Sequence, residues 1–307
     1  MPTHEPLVWL GFSVLVLGLL ALDLGVLNRR SHVLSVREAI TWSASIVSLA
    51  LVFGGFIWWR EGTAAGLEYY SGYLIELSLS VDNLFVFILI FQYFAVPAEL
   101  QPRVLKWGIL GAIVMRAIMI ALGALLLERF DWIIYVFGGI LIITGFKLFR
   151  GGDERIEPEK NPVIRLARRI LPVTPAYEGQ KFFVRTYAGL FATPLFLVVL
   201  FVEWSDLVFA IDSIPAIFAV TRDPFIVYSS NVFAILGLRA LYFVLASAMD
   251  RFVHLKVGVA AILVFVGIKM VISAWFHIPT SVSLGVIILF LATSVWASLR
   301  GEERLPS

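Results

Sequence analysis

Nine runs of mainly apolar residues, each close to the length of a membrane-spanning helix, divide this chain of 307 residues. A helix needs about 20 such residues to cross the hydrocarbon core of a bilayer. The runs cover about 7–27, 39–59, 67–95, 104–127, 131–149, 190–219, 225–248, 253–275 and 280–299. In lipid every backbone polar group must be satisfied within the chain, and helices of this length do so. The sequence therefore predicts an all-α polytopic membrane protein, one transmembrane domain over 1–307. With 60% hydrophobic and 15% charged residues it is no ordinary soluble enzyme. No nucleophile–base constellation stands out, so we expect no enzymatic activity and no organic cofactor. A net charge of +2 gives no support for nucleic-acid binding. There is no cysteine, hence no disulfide or thiolate metal site. His4, His32, His254 and His277 all fall near termini or loops. The first run has no Lys or Arg before it and is too long for a signal-peptide core.

Orientation follows from Lys and Arg, which favour cytoplasmic loops. With the N-terminus outside, the inside loops hold Arg29, Arg30, Arg37, Arg103, Lys106, eight basic residues from Arg150 to Arg185, Arg251, Lys256, Arg300 and Arg304. The outside loops hold only Arg60, Arg129 and Arg222. The sequence thus predicts an external N-terminus and a cytoplasmic C-terminus. Ser35 and Glu38 have the spacing of a capping box opening the second helix. The 151–189 stretch is expected as a cytoplasmic loop, with a short amphipathic surface helix near 163–171 whose basic residues meet anionic lipid.

The chain also repeats itself. Glu76-x5-Asp82-Asn83 matches Asp206-x5-Asp212-Ser213. Arg116 then matches Arg239, Glu128-Arg129-Phe130 matches Asp250-Arg251-Phe252, and Gly145-Phe146-Lys147 matches Gly267-Ile268-Lys269. Residues 67–149 form one repeat and 190–275 the other, followed by a final helix and tail over 280–307. Each repeat has three helices, spans three to five and six to eight. An odd number places the second inverted in the membrane, a plan common to secondary transporters with midplane sites.

Five acids lie inside these spans: Glu76, Asp82, Glu203, Asp206 and Asp212. Each costs roughly 2.5–3.5 kcal/mol at the centre of a spanning helix, and such residues usually mark an ion path or site. On a straight helix Ser80 and Asn83 share the face of Glu76, and Glu203 neighbours Asp206. Pro215 follows Asp212 closely, predicting a break that would free carbonyls for a cation. Arg116 and Arg239 offset two of the five charges, leaving a deficit for cations or protons. Asn231 either lends an oxygen to the site or bonds a neighbouring helix. Asp23 reads as a helix-end carboxylate near Arg29 and Arg30, with a site role secondary. Lys147 and Lys269 are expected to snorkel to opposite interfaces. Oxygen donors without Cys or His suit Mg, Ca or Mn, and the negative charge disfavours an anion.

The Glu-x5-Asp-Asn element, the Glu203-x2-Asp206-x5-Asp212-Ser213-Ile-Pro element and the nine-span layout resemble the TerC/Alx family of integral membrane proteins. That family is related to lysine exporters and built on inverted three-helix repeats. The resemblance covers nearly the whole chain. It implies that Glu76, Asp82, Asn83, Glu203, Asp206, Asp212 and Ser213 occupy the family's motif positions. It implies a link to manganese(II) efflux, alkaline response, metal supply to exported enzymes or, indirectly, tellurite resistance. The expectation is a manganese(II) exporter of the bacterial inner membrane, with Mn(II) as cargo and protons as counter-ion. Alternatives are a calcium/proton antiporter, or a membrane assembly and metalation scaffold that contacts the secretion machinery or forms a homo-oligomer.

Overall fold

The structure is a computed structural model and describes residues 6–22, 35–130, 132–150, 161–187, 189–246, 255–273, 275–276 and 278–301. Among these residues, nine apolar helices occupy the nine expected spans: α1 (Pro6–Ala21), α2 (Val36–Glu61), α3 (Thr63–Tyr93), α4 (Gln101–Arg129), α5 (Ile133–Phe149), α7 (Pro194–Phe218), α8 (Pro224–Ala246), α9 (Leu255–Ile272) and α10 (Thr280–Gly301). A tenth, α6 (Pro162–Ile170), is the short amphipathic helix expected in the long loop. Six of these helices are long and apolar enough to cross a membrane, while α1, α5 and α9 are apolar but shorter. The chain is an all-α polytopic integral membrane protein.

Local chemistry sets several boundaries. The capping box at α2 is formed: Ser35 N donates to Glu38 Oε2 at 2.9 Å and Glu38 N to Ser35 Oγ at 3.3 Å. Asn161 caps α6, its side chain accepting from Val163 N at 2.9 Å. The start of α7 differs from the sequence expectation. Residues 189–192 are strand β2, paired antiparallel with β1 (Phe183–Thr186), and the helix opens at Pro194. Proline favours that first helical turn, where its missing N–H costs nothing. The end of α7 differs as well. No break occurs at Pro215, and the helix runs on to Phe218. Proline there sits in the last turn, so one lost backbone bond is absorbed at the helix end.

α3 and α8 form the buried centre. α2 packs on both, pinned to α3 by Tyr69 and Tyr70, whose hydroxyls donate to Ala50 O and Leu51 O at 3.1 and 2.8 Å. Phe12 of α1 wedges edge-on against Phe225 and Phe233 of α8. The loop after α6 is tied to the bundle by Tyr177, whose hydroxyl donates to Phe94 O at 2.8 Å. Burial pushes that phenol up to about 12, so it stays a donor.

The inverted repeat is visible in paired contacts. A methyl group added at Gly145 of α5 would lie 2.9 Å from Ala260 O and 3.1 Å from Val264 N of α9. One added at Gly267 of α9 would lie 2.7 Å from Gly138 O and 3.0 Å from Ile142 N of α5. Gly145 and Gly267, Gly138 and Ala260, Ile142 and Val264 share a single sequence offset, so the two contacts are one contact seen from both sides. This reciprocity defines a two-fold relation. The two helices also run antiparallel, since Gly138 faces Gly267 and Val271 while Gly145 faces Ala260 and Val264. An axis exchanging antiparallel helices lies across them, in the membrane plane. The packing of α3 on α8 and of α4 on α7 obeys the same relation: Gly72 abuts Ser230, and Gly108 abuts Val202.

Candidate functional site

Spans three and six of the sequence are α3 and α7, which pack on each other, with α4 against α7 and α8 against α3 and α4. Glu76 lies near the middle of α3, Arg116 near the middle of α4 and Asp206 near the middle of α7. The three side chains meet there with essentially no exposure. Arg116 Nη2 donates to Asp206 Oδ1 at 3.1 Å and Nε to Oδ2 at 3.4 Å. Arg116 Nη1 pairs with Glu76 Oε1 and reaches Ser213 Oγ at 3.3 Å. One arginine therefore clamps one acid from each repeat. Two carboxylates against one guanidinium leave a unit of negative charge in a low-dielectric interior, where charges interact strongly.

The other site residues spread around this triad. Ser80 and Asn83 follow Glu76 on one face of α3, as the spacing predicts, and both are buried. Asn231 of α8 is fully buried. Among the described residues, Glu76 Oε2, Ser80 Oγ, Asn83 Nδ2 and both side-chain polar atoms of Asn231 have no hydrogen-bond partner. Such atoms cost about 1–3 kcal/mol each when left dry, so they are primed for a polar ligand or water. Phe87, one more turn along that face, lines a small cavity of about 10 Å³ with Asp206 and Arg239. The cavity lies between α3, α4, α7 and α8, and is large enough for about one water.

Glu203 is half-buried and its carboxylate lies against the backbone of α4 at Gly111, where any side chain would overlap it. Asp212 stands apart from the triad. It accepts a 2.9 Å hydrogen bond from Thr144 of α5, and the charge of Lys147 acts favourably on it. Asp82 belongs to α3, but its side chain is outside the described residues, as are Asp23, the four histidines and 250–252. Among the described residues no three Asp, Glu or His side chains converge on one point.

Sequence reasoning missed three participants. Thr144 and Gly111 carry no charge, and only the packing shows that one holds Asp212 and the other makes room for Glu203. The third is Glu68 of α3, half-buried, which is hydrogen-bonded with Thr221 and faces Asp223 and Lys269. Lys269 is buried, 8% exposed, beside this acid. Desolvating an ammonium is tolerable when a carboxylate neighbours it. Lys147 is exposed.

Inverted three-helix repeats, with ionisable residues buried where they cross, define a polytopic integral membrane protein organised around an intramembrane polar centre. The chain belongs to the integral membrane protein TerC family, whose profile matches residues 61–304. It is 54% identical over 303 residues to the membrane protein STKORF319 of Myxococcus xanthus, covering 99% of this chain and 95% of that one. It is 48% identical over 312 residues to Alx of Escherichia coli (strain K12), described as a proposed membrane-bound redox modulator, covering 97% of each. A protein of Rickettsia bellii described as a membrane protein is 43% identical over 291 residues, covering 95% of this chain and 96% of that one. No solved structure matches.

Proposed function

We propose that this protein is a secondary transporter that exports manganese(II) across the bacterial inner membrane. The observation that carries this reading is the Glu76–Arg116–Asp206 cluster, two carboxylates from opposite inverted repeats held by one guanidinium. Arg116 acts as a tethered stand-in for the cargo, offsetting one of the two acid charges while they wait. Mn(II) enters from the cytoplasm along the Ser80–Asn83 face and the cavity beside Asp206 and Arg239. It takes the carboxylate oxygens, and Arg116 yields. Amide and hydroxyl oxygens of Asn83, Asn231 and Ser213 complete an oxygen shell suited to Mn(II). Rocking of one repeat against the other then opens the site outward. Arg116 returns as the ion leaves, which resets the empty carrier.

The basic loop distribution supports an external N-terminus and a cytoplasmic C-terminus. That orientation places the Asp206 cavity towards the cytoplasm. Expelling a divalent cation against a negative-inside potential requires a counter-ion, and protons exchanging on the same carboxylates serve. The chain has no cysteine, so a redox effect such as the name of Alx suggests would arise through metal supply rather than through its own thiols.

Equilibrium binding of Mn(II) to the purified protein, in competition with Mg(II), Ca(II) and Zn(II), tests the reading. Mn(II) should be bound in preference to Mg(II), which dehydrates reluctantly, and Glu76→Gln should abolish binding. Preferential binding of Ca(II) would transfer the same site to a calcium antiporter. Absence of any metal binding by a folded protein would overturn it.

A further inference from the structure

A second cavity, of about 640 Å³, lies at one end of the bundle, away from the charged centre. Its origin is legible in α4. Ala117, Ala121 and Ala124 fall on one stripe of that helix, and their small side chains leave a slot between α4, α1 and the α7–α8 junction. From Ala117 to Glu128 the helix rises roughly 16 Å, about half the thickness of a bilayer's hydrocarbon core. The slot is apolar along that depth and ends in two opposite charges, Glu128 at the end of α4 and Arg222 between α7 and α8. Trp9 of α1 flanks the same space, a residue type favoured where hydrocarbon meets headgroups.

We propose that this slot binds one phosphatidylethanolamine molecule of the surrounding leaflet. One acyl chain lies along the alanine stripe, the phosphate meets Arg222 and the primary ammonium donates to Glu128. The pairing of charges at the rim selects the headgroup. An anionic glycerol headgroup satisfies Arg222 but leaves Glu128 facing like charge. A choline headgroup carries no N–H and cannot donate to Glu128. The size fits a bound small molecule, since ligand pockets span about 300–1,000 Å³. The proposal needs only that this end of the bundle sits at one membrane interface, so it stands apart from the cargo and the direction of transport.

The test is lipid retention by the full chain, purified from vesicles of equal phosphatidylethanolamine, phosphatidylglycerol and phosphatidylcholine and read by native mass spectrometry. Wild-type protein should retain phosphatidylethanolamine in excess over the other two. Ala121→Phe, and independently Ala124→Leu, should lower retention roughly tenfold, with helical content checked by circular dichroism. Arg222→Gln with Glu128→Gln should keep a lipid but lose the headgroup preference. Equal retention of the three lipids by wild type would overturn the proposal, as would a preference for phosphatidylglycerol. So would unchanged retention in both filled-slot variants when folded, or a protein helix co-purifying in the slot in place of lipid.

Discussion

Arg116 of α4 grips Asp206 of α7 side-on, with Nη2 3.1 Å from one carboxylate oxygen and Nε 3.4 Å from the other. This two-point geometry is available to arginine and not to lysine. Its remaining nitrogen pairs with Glu76 of the other repeat, so the same side chain joins both halves of the bundle. Arg116→Ala would leave two buried carboxylates facing each other. Breaking a buried ion pair in this way costs about 3–5 kcal/mol, and thermal unfolding in detergent should show a clear loss of stability. Arg116→Lys keeps the charge and should be milder in stability, yet impaired in transport because it cannot hold both acids.

Charge removal separates the acids by role. Glu76→Gln and Asp206→Asn alter little volume and should abolish Mn(II) transport while leaving folded protein in the membrane. Glu99→Gln, in the exposed turn before α4, should behave as wild type. Transport assays in cells and quantitation of the membrane-inserted protein distinguish lost function from lost folding.

Thr144 gives a test of Asp212, which the triad does not reach. Thr144→Val removes the 2.9 Å hydrogen bond to the carboxylate, a contact worth roughly 1.5–3 kcal/mol for a charged acceptor. If Asp212 acts with the central site, Thr144→Val should weaken Mn(II) transport, and the double variant with Asp212→Asn should add nothing further. Full additivity in the double-mutant cycle would assign the two residues separate roles.

The repeat symmetry makes its own prediction. A methyl group at Gly145 would lie 2.6 Å from Val264 Cγ2, and one at Gly267 2.8 Å from Ile142 Cγ1. Gly145→Ala and Gly267→Ala should therefore destabilise by similar amounts, about 1–3 kcal/mol for overpacking a close helix crossing. Thermal unfolding of the two variants should agree, and a large difference would argue against their equivalence.

Spans and repeat were legible because both rest on patterns along the chain. Apolar runs of fixed length mark helices in lipid, and acids and arginines recurring in order mark the duplication. Pro215 misled because a proline's effect depends on its distance from the helix end, which the sequence leaves open. The β1–β2 hairpin was hidden because Leu190, Phe191 and Ala192 continue the apolar run of the sixth span. At the site, the meeting of Glu76 with Asp206 follows from the repeat, but the sharing of Arg116 between them does not. Arg116 and Arg239 match in sequence, and only the packing of α4 against α7, itself packed on α3, lets the Arg116 side chain reach both acids. Thr144 and Gly111 act through shape and a neutral hydroxyl, which leave no trace in charge or periodicity.

Mn(II) flux in proteoliposomes tests the central claim most directly. Purified wild-type protein is reconstituted alone and compared with Asp206→Asn at clamped membrane potential, with and without an imposed proton gradient. The account predicts saturable Mn(II) movement by wild type that is driven by the proton gradient and abolished in Asp206→Asn. Wild-type vesicles that pass no more Mn(II) than protein-free ones, or an Asp206→Asn variant that transports normally, would contradict it.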